Sequence, residues 1–535
     1  MTAGSTRAWW RAASSGAVAA AAALSATELG AALVPGAPSP VLALARTVIA
    51  STPTRLREVL VSSAGTADKP ALLVGIVAVV LVLGALVGVC ARASRAVGRA
   101  GVLLLALVAW VATLGQPGGS AGPSGLVLLA AAVLGLAVLD VLLPDRPDRR
   151  RARTPTGPSA AATEAAGPAV LRGSSGPLGR RAFLQRSGGV LAMAAGGTVI
   201  ARSLAARRSV ESVRAAIQLP RPGRRASAVP TGAESGVAGT TSLVTPNAHF
   251  YKIDTAVGGD PQVDPGAWSL HLGGLVDRPA RFTYADLLAM PQTEAWITVG
   301  CVGNDVGGDL IGTARWQGVL LADLLRAAGP RRGAAQVVGT SVDGYTGAFG
   351  LPLALDGRNA LLALGMNGEP LPVAHGFPAR LVVPGLYGYE SAVKWLSRID
   401  LADDTYRAFW VTRGYAKQAV FRTQSRIDVP RADSTLTRDP TGHVQVAGMA
   451  WAPHRGVTCV EVSVDSGPWR TAELAAGTLG PDTWRPWTLT WAAQPGTHQL
   501  GVRATDSTGE TQPEPPRGVL PDGATGWHTV AVTVR

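Results

Sequence analysis

Long apolar runs dominate the first third of the chain, and short alternating segments dominate the remainder. The apolar runs cover residues 12–34, 71–91, 101–116 and 125–143, which are rich in Ala, Leu and Val and end at Arg, Pro or Gly. A helix of about 20 apolar residues is long enough to cross a bilayer. Residues 1–145 are therefore predicted to contain four membrane spans.

Clusters of arginine predict the orientation of these spans. Three clusters flank them: Arg7 and Arg11; Arg92, Arg95 and Arg99; and Arg146, Arg149, Arg150, Arg151 and Arg153. Four spans place all three clusters on one side, and cytoplasmic loops carry an excess of Lys and Arg. The N-terminus is therefore predicted to be cytoplasmic.

A pair of arginines, Arg180 and Arg181, lies within the predicted cytoplasmic linker 146–187. The pair begins the sequence Arg-Arg-Ala-Phe-Leu-Gln and precedes the Gly/Ala-rich run 188–201. The segment therefore resembles a twin-arginine signal, which directs folded proteins to export. An ordinary fifth span with positive flanks is the alternative. Both interpretations make 188–201 a fifth span and place everything after it outside the cytoplasm. Residues 202–245, rich in Arg, Ser, Gly and Pro, are predicted to be an extracytoplasmic linker with little fixed structure.

From residue 246 onwards the pattern alternates between strand-like and helix-like segments. Residues 268–276 alternate with period two, as a half-buried strand does. Thr283 is a typical N-cap before a helix, 320–328 has helical spacing, and the apolar run 360–364 is also taken as helical. This mixture predicts an α+β domain over residues 246–427.

Short alternating segments separated by Gly, Pro and Asp follow in residues 428–535. Their spacing predicts an all-β sandwich of immunoglobulin type. Cys459 lies within one of these segments, and we expect it to serve core packing.

Composition supports this division of the chain. The 535 residues are 47% hydrophobic and carry a formal charge of +13, which comes mainly from arginine. Many of these arginines precede residue 230, so membrane topology explains the excess more simply than binding to nucleic acid does. No nucleic-acid partner is predicted.

Two segments concentrate the candidate chemistry. Cys301 lies in the glycine-rich sequence Thr-Val-Gly-Cys-Val-Gly-Asn-Asp-Val-Gly-Gly, and residues 375–395 gather one His, one Arg and one Lys among several glycines, as an anionic phosphate-bearing ligand requires. A lone buried cysteine is often inert packing. Together, however, the two segments resemble the sulfite oxidase family of molybdopterin enzymes.

This resemblance implies a molybdopterin cofactor whose molybdenum takes one soft thiolate ligand, Cys301. It assigns cofactor binding to Cys301 and to seven other residues: Asn247, His249, Asp343, His375, Arg380, Ser391 and Lys394. It also assigns Tyr415 a catalytic role, in which its hydroxyl orients substrate or carries a proton. Four of these assignments have an alternative: core packing for His375, an ion pair for Arg380, a solvated charge for Lys394 and packing at the domain junction for Tyr415.

Two departures from the family bear on the substrate. Sulfite oxidases have an arginine in the position of Asn247 and another five residues beyond the metal-binding cysteine, where this chain has Val306. The loss of two guanidinium groups argues against the dianion sulfite. The sequence therefore predicts oxygen-atom transfer on a sulfur- or nitrogen-centred substrate. The alternatives are a reductase of methionine sulfoxide or another S- or N-oxide, and a non-catalytic membrane-anchored binding module.

The remaining redox chemistry is limited by the available ligands. All seven histidines lie at position 249 or later, the chain has no Cys-x-x-Cys-His sequence, and its three cysteines are far apart. We therefore expect neither haem nor an iron–sulfur cluster. A separate electron-transfer partner, a cytochrome or a quinone-linked membrane protein, is predicted. The family resemblance also implies a homodimer formed through the C-terminal domain.

Overall fold

The computed structural model describes residues 3–34, 36–52, 68–116, 119–143, 180–207 and 210–535. The chain divides into two compact units, Met1–Arg208 and Ser209–Arg535. Most of the predicted cytoplasmic linker, including the arginine cluster at 146–153, lies outside the described residues.

The described part of the first unit is helical. Its helices are α1 (Ala3–Leu33), α2 (Pro40–Ser51), α3 (Asp68–Ala93), α4 (Arg95–Leu114), α5 (Ala121–Leu142) and α6 (Arg180–Arg207). By length and composition, α1, α3, α4 and α5 could each cross a membrane, in agreement with the four predicted apolar runs. The predicted fifth span forms the middle of α6, but α6 is not among the helices that meet these criteria in the described residues.

Close contacts at glycine and a group of ion pairs hold the helices of this unit together. A Cβ on Gly16 of α1 would lie 2.0 Å from the carbonyl oxygen of Gly84 in α3, so only glycine allows this close approach. Near the end of α5, Asp140 forms ion pairs of 3.1 Å with both Arg95 and Arg99 of α4. These contacts fix the packing of α1 on α3 and of α4 on α5.

The second unit begins with α7 (Glu211–Ala216) and continues as an α+β domain. Its strands are β1 (Ser269–Gly274), β2 (Ala280–Thr283), β3 (Thr293–Gly300), β4 (Ile311–Leu320), β5 (Gln336–Ser341), β6 (Thr346–Gly350), β7 (Leu361–Met366), β8 (Glu369–Pro370), β9 (Arg380–Val382) and β10 (Leu396–Ala402). Its helices are α8 (Tyr284–Ala289), α9 (Leu321–Ala328), α10 (Pro352–Leu355) and α11 (Gly388–Ser391). The predicted mixture of strands and helices is confirmed.

Two sheets form this domain around one apolar core. One has the order β2-β1-β10-β5-β6, and the other has the order β3-β4-β7-β8 with β9 paired to β7. Trp316 and Phe377 are fully buried between them. Thr283 caps α8 as predicted, and its capping box includes the Asp286 carboxylate.

The apolar run predicted as a helix over 360–364 is instead strand β7. All six residues of β7 are buried, and the strand pairs with β4 on one side and with β8 and β9 on the other. A strand that is buried on both faces is apolar throughout, so its sequence resembles that of a short buried helix.

The expectation of little fixed structure before residue 245 is also wrong for the described residues 210–245. The Gln317 side chain donates to the carbonyl of Pro220 at 2.7 Å, and Arg224 forms a bridge to Thr293 at the edge of β3. Leu243 is only 1% exposed. The segment is ordered because it supplies backbone partners and apolar side chains to the neighbouring domain, contacts that its composition does not reveal.

The C-terminal part of the second unit consists of two β-sheets with a shared core. Its strands are β11 (Gln424–Val429), β12 (Ser434–Leu436), β13 (His443–Trp451), β14 (Val457–Val464), β15 (Arg470–Thr471), β16 (Glu473–Leu474), β17 (Arg485–Ala492), β18 (Gly496–Asp506) and β19 (His528–Val534). The sheet orders are β11-β13-β17-β16 and β12-β19-β18-β14-β15. Trp487 and Val502, one from each sheet, are both fully buried in the common core. Strand β11 begins four residues before the predicted domain boundary, because it pairs with β13.

The sandwich contacts the α+β domain beside strand β3. The Thr298 N–H donates to the carbonyl of Asp482 at 2.9 Å, and the Trp484 N–H donates to the Thr298 hydroxyl at 2.8 Å. The Trp484 indole donates to the carbonyl of Leu243 at 2.7 Å. The end of β3, which leads into Cys301, is thus held by both domains.

Candidate active site

Cys301 directly follows β3, at the start of the loop that returns to β4. Gly300 and Ile311 face each other in the antiparallel pair, and the Cys301 N–H donates to the carbonyl of Leu310 at 2.9 Å. The Asn304 side chain accepts a hydrogen bond of 2.8 Å from the Leu310 N–H. The strand pair and this buried asparagine fix the thiol at the end of the sheet.

Burial raises the pKa of the Cys301 thiol to about 11, although the Gly303 N–H and the charge of Lys394 lower it. The Gly303 N–H lies 3.4 Å from Sγ. In the protein alone the thiol is therefore neutral at physiological pH, and it is a poor nucleophile. A bound soft cation would deprotonate it, which suits a metal ligand.

Arg380 lies in β9 and is a buried cation, only 5% exposed. Its guanidinium donates to the carbonyls of His375 at 3.0 Å and Ala392 at 3.3 Å, and it lies 4.9 Å from the Trp316 ring. Its contacts in the described residues include no carboxylate. Burial lowers its pKa to about 10. A buried guanidinium without an acidic partner is costly, so this arrangement fits an anionic ligand.

Lys394 and His375 complete the basic group around Arg380. Lys394 Nζ pairs with Asp254 at 2.8 Å, and burial lowers the pKa of this lysine to about 8. His375 Nε2 lies 3.0 Å from the carbonyl oxygen of Asn247, so Nε2 carries the proton. Burial lowers the pKa of His375 to about 4, and the ring is therefore neutral at physiological pH.

Asn247 and His249 share the short helical turn Asn247–His249 but differ in their surroundings. The Asn247 side chain accepts a 2.8 Å hydrogen bond from Asn367 and donates one of 2.5 Å to Glu369. His249 is exposed. The structure therefore brings Asn247 to the basic group, whereas the ring of His249 lies at the surface.

Asp343 and Ser391 are held by local hydrogen bonds. Asp343 accepts from the Tyr345 N–H at 3.2 Å in the turn between β5 and β6. The buried Ser391 hydroxyl donates to the carbonyl of Tyr387 at 2.9 Å, within the turn of α11. The cofactor contacts assigned to these two residues remain predictions.

Tyr415 packs against two aromatic residues. Its ring is 5.6 Å from that of Tyr389 and 5.4 Å from that of Trp410. The Tyr389 hydroxyl in turn donates to the carbonyl of the next residue, Ala416. The catalytic role of Tyr415 remains a prediction.

Tyr251 is a site residue that the sequence interpretation did not identify. Burial and the nearby Cys301 raise the pKa of this phenol, while Arg380 lowers it. A Cβ on Gly388 would lie 3.3 Å from the Tyr251 hydroxyl and 3.4 Å from the carbonyl oxygen of Gly300. Tyr251 is therefore close enough to Cys301 and Arg380 to feel the charge of each, and its only signal in the sequence is its closeness to Asn247.

Glu390 in α11 is a second unpredicted residue and is 1% exposed. One of its carboxyl oxygens accepts the Ala348 N–H, and the other, Oε1, has no partner in the described part of the chain. Burial raises the pKa of this carboxyl to about 8. Glu390 is therefore largely protonated at physiological pH.

We expect Glu390→Gln to change how stability depends on pH. Between pH 4.5, the ordinary value, and about pH 8, the unfolded chain releases a proton that the folded chain keeps, so wild-type stability falls as pH rises. The neutral glutamine removes this decrease. The free energy of unfolding should be measured by denaturation at both ends of this pH window. Relative to the wild type, the variant should become more stable as pH rises. The exposed Glu510→Gln variant is the control, and parallel pH profiles for Glu390→Gln and the wild type would contradict the assignment.

A cavity of about 360 Å³ lies beside the basic group, and its lining includes Asn247, Phe250, Lys252, Ala374 and His375. No group of three or more His, Cys, Asp or Glu side chains in the described residues is arranged to hold a metal ion. A metal at Cys301 would therefore take its other donors from a cofactor. The isolated thiol and the buried guanidinium fit a metal carried by an anionic organic group.

Comparison with known proteins agrees with this arrangement. Residues 257–410 match the oxidoreductase molybdopterin binding domain, and residues 415–535 match the Mo-co oxidoreductase dimerisation domain. Mitochondrial sulfite oxidase of Rattus norvegicus is 32% identical over 346 residues, which cover 55% of this chain and 62% of that enzyme. Sulfite oxidase of Gallus gallus is 31% identical over 343 residues, which cover 54% of this chain and 72% of that protein.

Among solved structures, the sulfane dehydrogenase SoxCD from Paracoccus pantotrophus matches with 27% identity and a TM-score of 0.45, over 51% of this chain and 75% of that chain. The chain spans less than two thirds of the length of the rat enzyme, and its apolar N-terminal helices lie outside both matched domains. From residue 257 to the C-terminus, the two domains follow each other in one polypeptide. This chain belongs to the sulfite oxidase family of molybdopterin-dependent oxidoreductases.

Proposed function

We propose that this protein is a membrane-anchored molybdenum oxidoreductase that performs two-electron oxygen-atom transfer on a sulfur- or nitrogen-centred substrate. The observation that carries the proposal is the position of Cys301 at the end of β3, in the same domain as a buried Arg380 whose described contacts include no carboxylate. When bound, molybdopterin with molybdenum supplies the redox and atom-transfer chemistry. The protein supplies binding, orientation and charge.

Each site residue has a distinct task in this proposal. The Cys301 thiolate holds the metal, and Arg380 and Lys394 neutralise the phosphate of the pterin. The neutral His375 contributes a hydrogen-bonding group without adding a charge. Cofactor contacts are also assigned to Asn247, His249, Asp343 and Ser391. The Tyr415 hydroxyl is assigned to orient substrate or to carry a proton at its oxygen.

The surroundings of Asn247 favour a substrate other than sulfite. The Glu369 carboxylate accepts from the Asn247 amide, in the position where sulfite oxidases have an arginine. Asn247 also lines a second cavity of about 690 Å³, which contains Arg225 and Arg315 but also Glu294 and Glu369. A lining with both signs of charge is poorly suited to a small dianion, and it accommodates a neutral or zwitterionic S-oxide or N-oxide more readily.

We expect the wild-type holoenzyme to have a lower kcat/KM for sulfite than for a neutral sulfoxide or amine N-oxide assayed with an artificial electron donor. Introducing arginine with Val306→Arg, or with Asn247→Arg combined with Glu369→Gln, should raise kcat/KM for sulfite about tenfold, the effect of one charge-assisted hydrogen bond. Val306→Leu is the size control. Efficient sulfite oxidation by the wild type, unchanged by either arginine, would contradict this substrate class.

A reductase that acts on oxidised methionine in exported proteins is the second candidate. The mixed-charge cavity beside Asn247 favours it, because lining residues such as Arg225 and Glu369 are exposed and a protein-bound sulfoxide needs an accessible site. Activity on free methionine sulfoxide and on an oxidised peptide distinguishes it from a small-molecule oxidoreductase.

The N-terminal helices are proposed to anchor the enzyme, with residues 246–535 outside the cytoplasm after export by the twin-arginine segment and a fifth crossing at 188–201. A cytochrome or quinone-linked membrane protein exchanges electrons with the site. The immunoglobulin-type sandwich forms a homodimer, in keeping with the matched dimerisation domain.

Labelling with a membrane-impermeant maleimide tests this orientation. In a Cys90→Ala background, the exposed Ser466→Cys in the sandwich should react in intact spheroplasts. Ser94→Cys, between α3 and α4, should react only after permeabilisation, because its loop carries the arginine cluster predicted to be cytoplasmic. The reverse pattern would contradict the orientation.

A further inference from the structure

The loop that carries Cys301 is fixed at its base, and its tip contacts the sandwich. Its base is closed by the hydrogen bonds of Cys301 and Asn304 with Leu310. Its tip contains Gly307 and Gly308, and the Gly308 N–H closes a turn by donating to the carbonyl of Asp305 at 2.9 Å. Both glycines also contact the sandwich.

Gly307 lies against the ring of His528, the first residue of β19. A Cβ on Gly307 would be 2.3 Å from Cδ2 and 2.4 Å from Nε2 of that ring, and the backbone of Gly307 has a φ of +78°. His528 Nδ1 accepts the Ile427 N–H at 3.0 Å, so Nε2 carries the proton, and burial lowers the pKa of the ring. The neutral imidazole is therefore held in one position, and the tip of the loop packs against it.

Gly308 is held by Arg426 of β11. Arg426 Nη1 donates to the Gly308 carbonyl at 2.5 Å, and Nε pairs with Asp428 at 2.6 Å. The side chains of Arg426 and Asp428 are only 9% and 7% exposed, and Thr241 hydrogen-bonds to both of them. A buried ion pair of this kind holds the guanidinium in one orientation, because each partner fixes the other.

We propose that the C-terminal sandwich positions the Cys301 ligand, with His528 and Arg426 as positioning residues that act through Gly307 and Gly308. This role rests on the proposed function of Cys301 as a metal ligand. The two contacts differ in kind: His528 blocks one direction of movement by packing, and Arg426 holds the carbonyl of the next residue. Together they give the sandwich a part in the active site besides any part in dimer formation.

The test measures how readily the loop opens in the cofactor-free full chain. Iodoacetamide modifies Cys301, and peptide mass spectrometry compares its rate with that of Cys459 in the same molecule. The rate of alkylation at Cys301 should rise about tenfold, an effect typical of contacting residues, in each of three variants: His528→Ala, Gly307→Ala and Arg426→Met. The rate of alkylation at Cys459 should not change. His528→Asn keeps an acceptor for the Ile427 N–H but removes the ring, so it should behave as His528→Ala does.

Gly333→Ala is the matched control, because Gly333 has a φ of +90° but nothing within 4 Å of an added Cβ. This variant should leave the rate of Cys301 alkylation unchanged. Thermal melting identifies any variant that fails to fold. In the Gly307→Ala/His528→Ala double variant, the added methyl group occupies the space of the missing ring, so the combined effect should be smaller than the product of the single effects.

A second readout uses the loaded protein. The molybdenum(V) paramagnetic resonance signal should shift in the His528 and Gly307 variants and remain unchanged in Gly333→Ala. Unaltered Cys301 alkylation and an unaltered signal in folded His528→Asn and Gly307→Ala proteins would overturn the proposal. Because alkylation is measured without cofactor, that result would leave the role of Cys301 as a ligand untouched.

Discussion

Replacing Cys301 by serine is expected to lower kcat by more than about 100-fold, while most of the molybdopterin remains bound. Even the outer partners of metal ligands contribute about 10- to 100-fold to activity, so the loss of a direct ligand should cost more. Serine is nearly the same size as cysteine, but its hydroxyl is a hard donor and does not replace a soft thiolate. The cofactor should be retained because Arg380 and Lys394, which we propose to bind its anionic part, are unchanged.

Steady-state turnover, molybdenum content and the molybdenum absorption spectrum together check this prediction. The spectrum of Cys301→Ser should lose the contribution of one sulfur donor. Cys459→Ser in the sandwich is the matched control and should leave all three properties unchanged. A Cys301→Ser protein that keeps its turnover would show that the thiol serves packing only.

Arg380→Met is expected to have the opposite profile, with cofactor lost but the apoprotein intact. A charge-assisted hydrogen bond is worth about 1.5–3 kcal/mol, so binding of the anionic cofactor should weaken at least about tenfold. Without cofactor, the wild-type guanidinium is buried with carbonyls as its hydrogen-bond partners, and methionine fills a similar volume without a charge to desolvate. The apoprotein should therefore melt at the same temperature as the wild type or slightly higher.

Pterin and molybdenum per chain, measured beside the melting temperature of the apoprotein, check the second prediction. Arg398→Met in β10 removes a half-exposed arginine paired with Asp400 and should change neither quantity. Full cofactor content in Arg380→Met would show that this arginine does not bind the anion. A large loss of apoprotein stability would show that its role is structural.

The sequence predicted features that depend on periodicity or on neighbouring residues. The four apolar helices and the capped helix after Thr283 follow from local spacing and are present. The sequence of strand β7 resembles that of a helix because burial on both faces removes the alternation that distinguishes a strand. The sequence does not reveal the order of segment 210–245, because the contacts of this segment are with distant residues such as Gln317.

In the candidate site, too, the sequence predicts local features and does not reveal contacts between distant residues. Residues in two short segments, Cys301 and those around Arg380, could be named from the sequence because each segment concentrates its chemistry. Tyr251, Glu390 and His528 could not, because their importance depends on burial and on a partner far away in the chain. His528 is 221 positions from Gly307, and no local pattern links them.

The content of molybdenum per chain in the purified full-length protein, expressed in a host that makes the cofactor, tests the central claim most directly. The proposal predicts about one molybdenum atom per chain, as expected for a single thiolate-ligated centre. A full-length, folded protein without molybdenum from the same host would contradict the enzyme assignment and favour a membrane-anchored binding module.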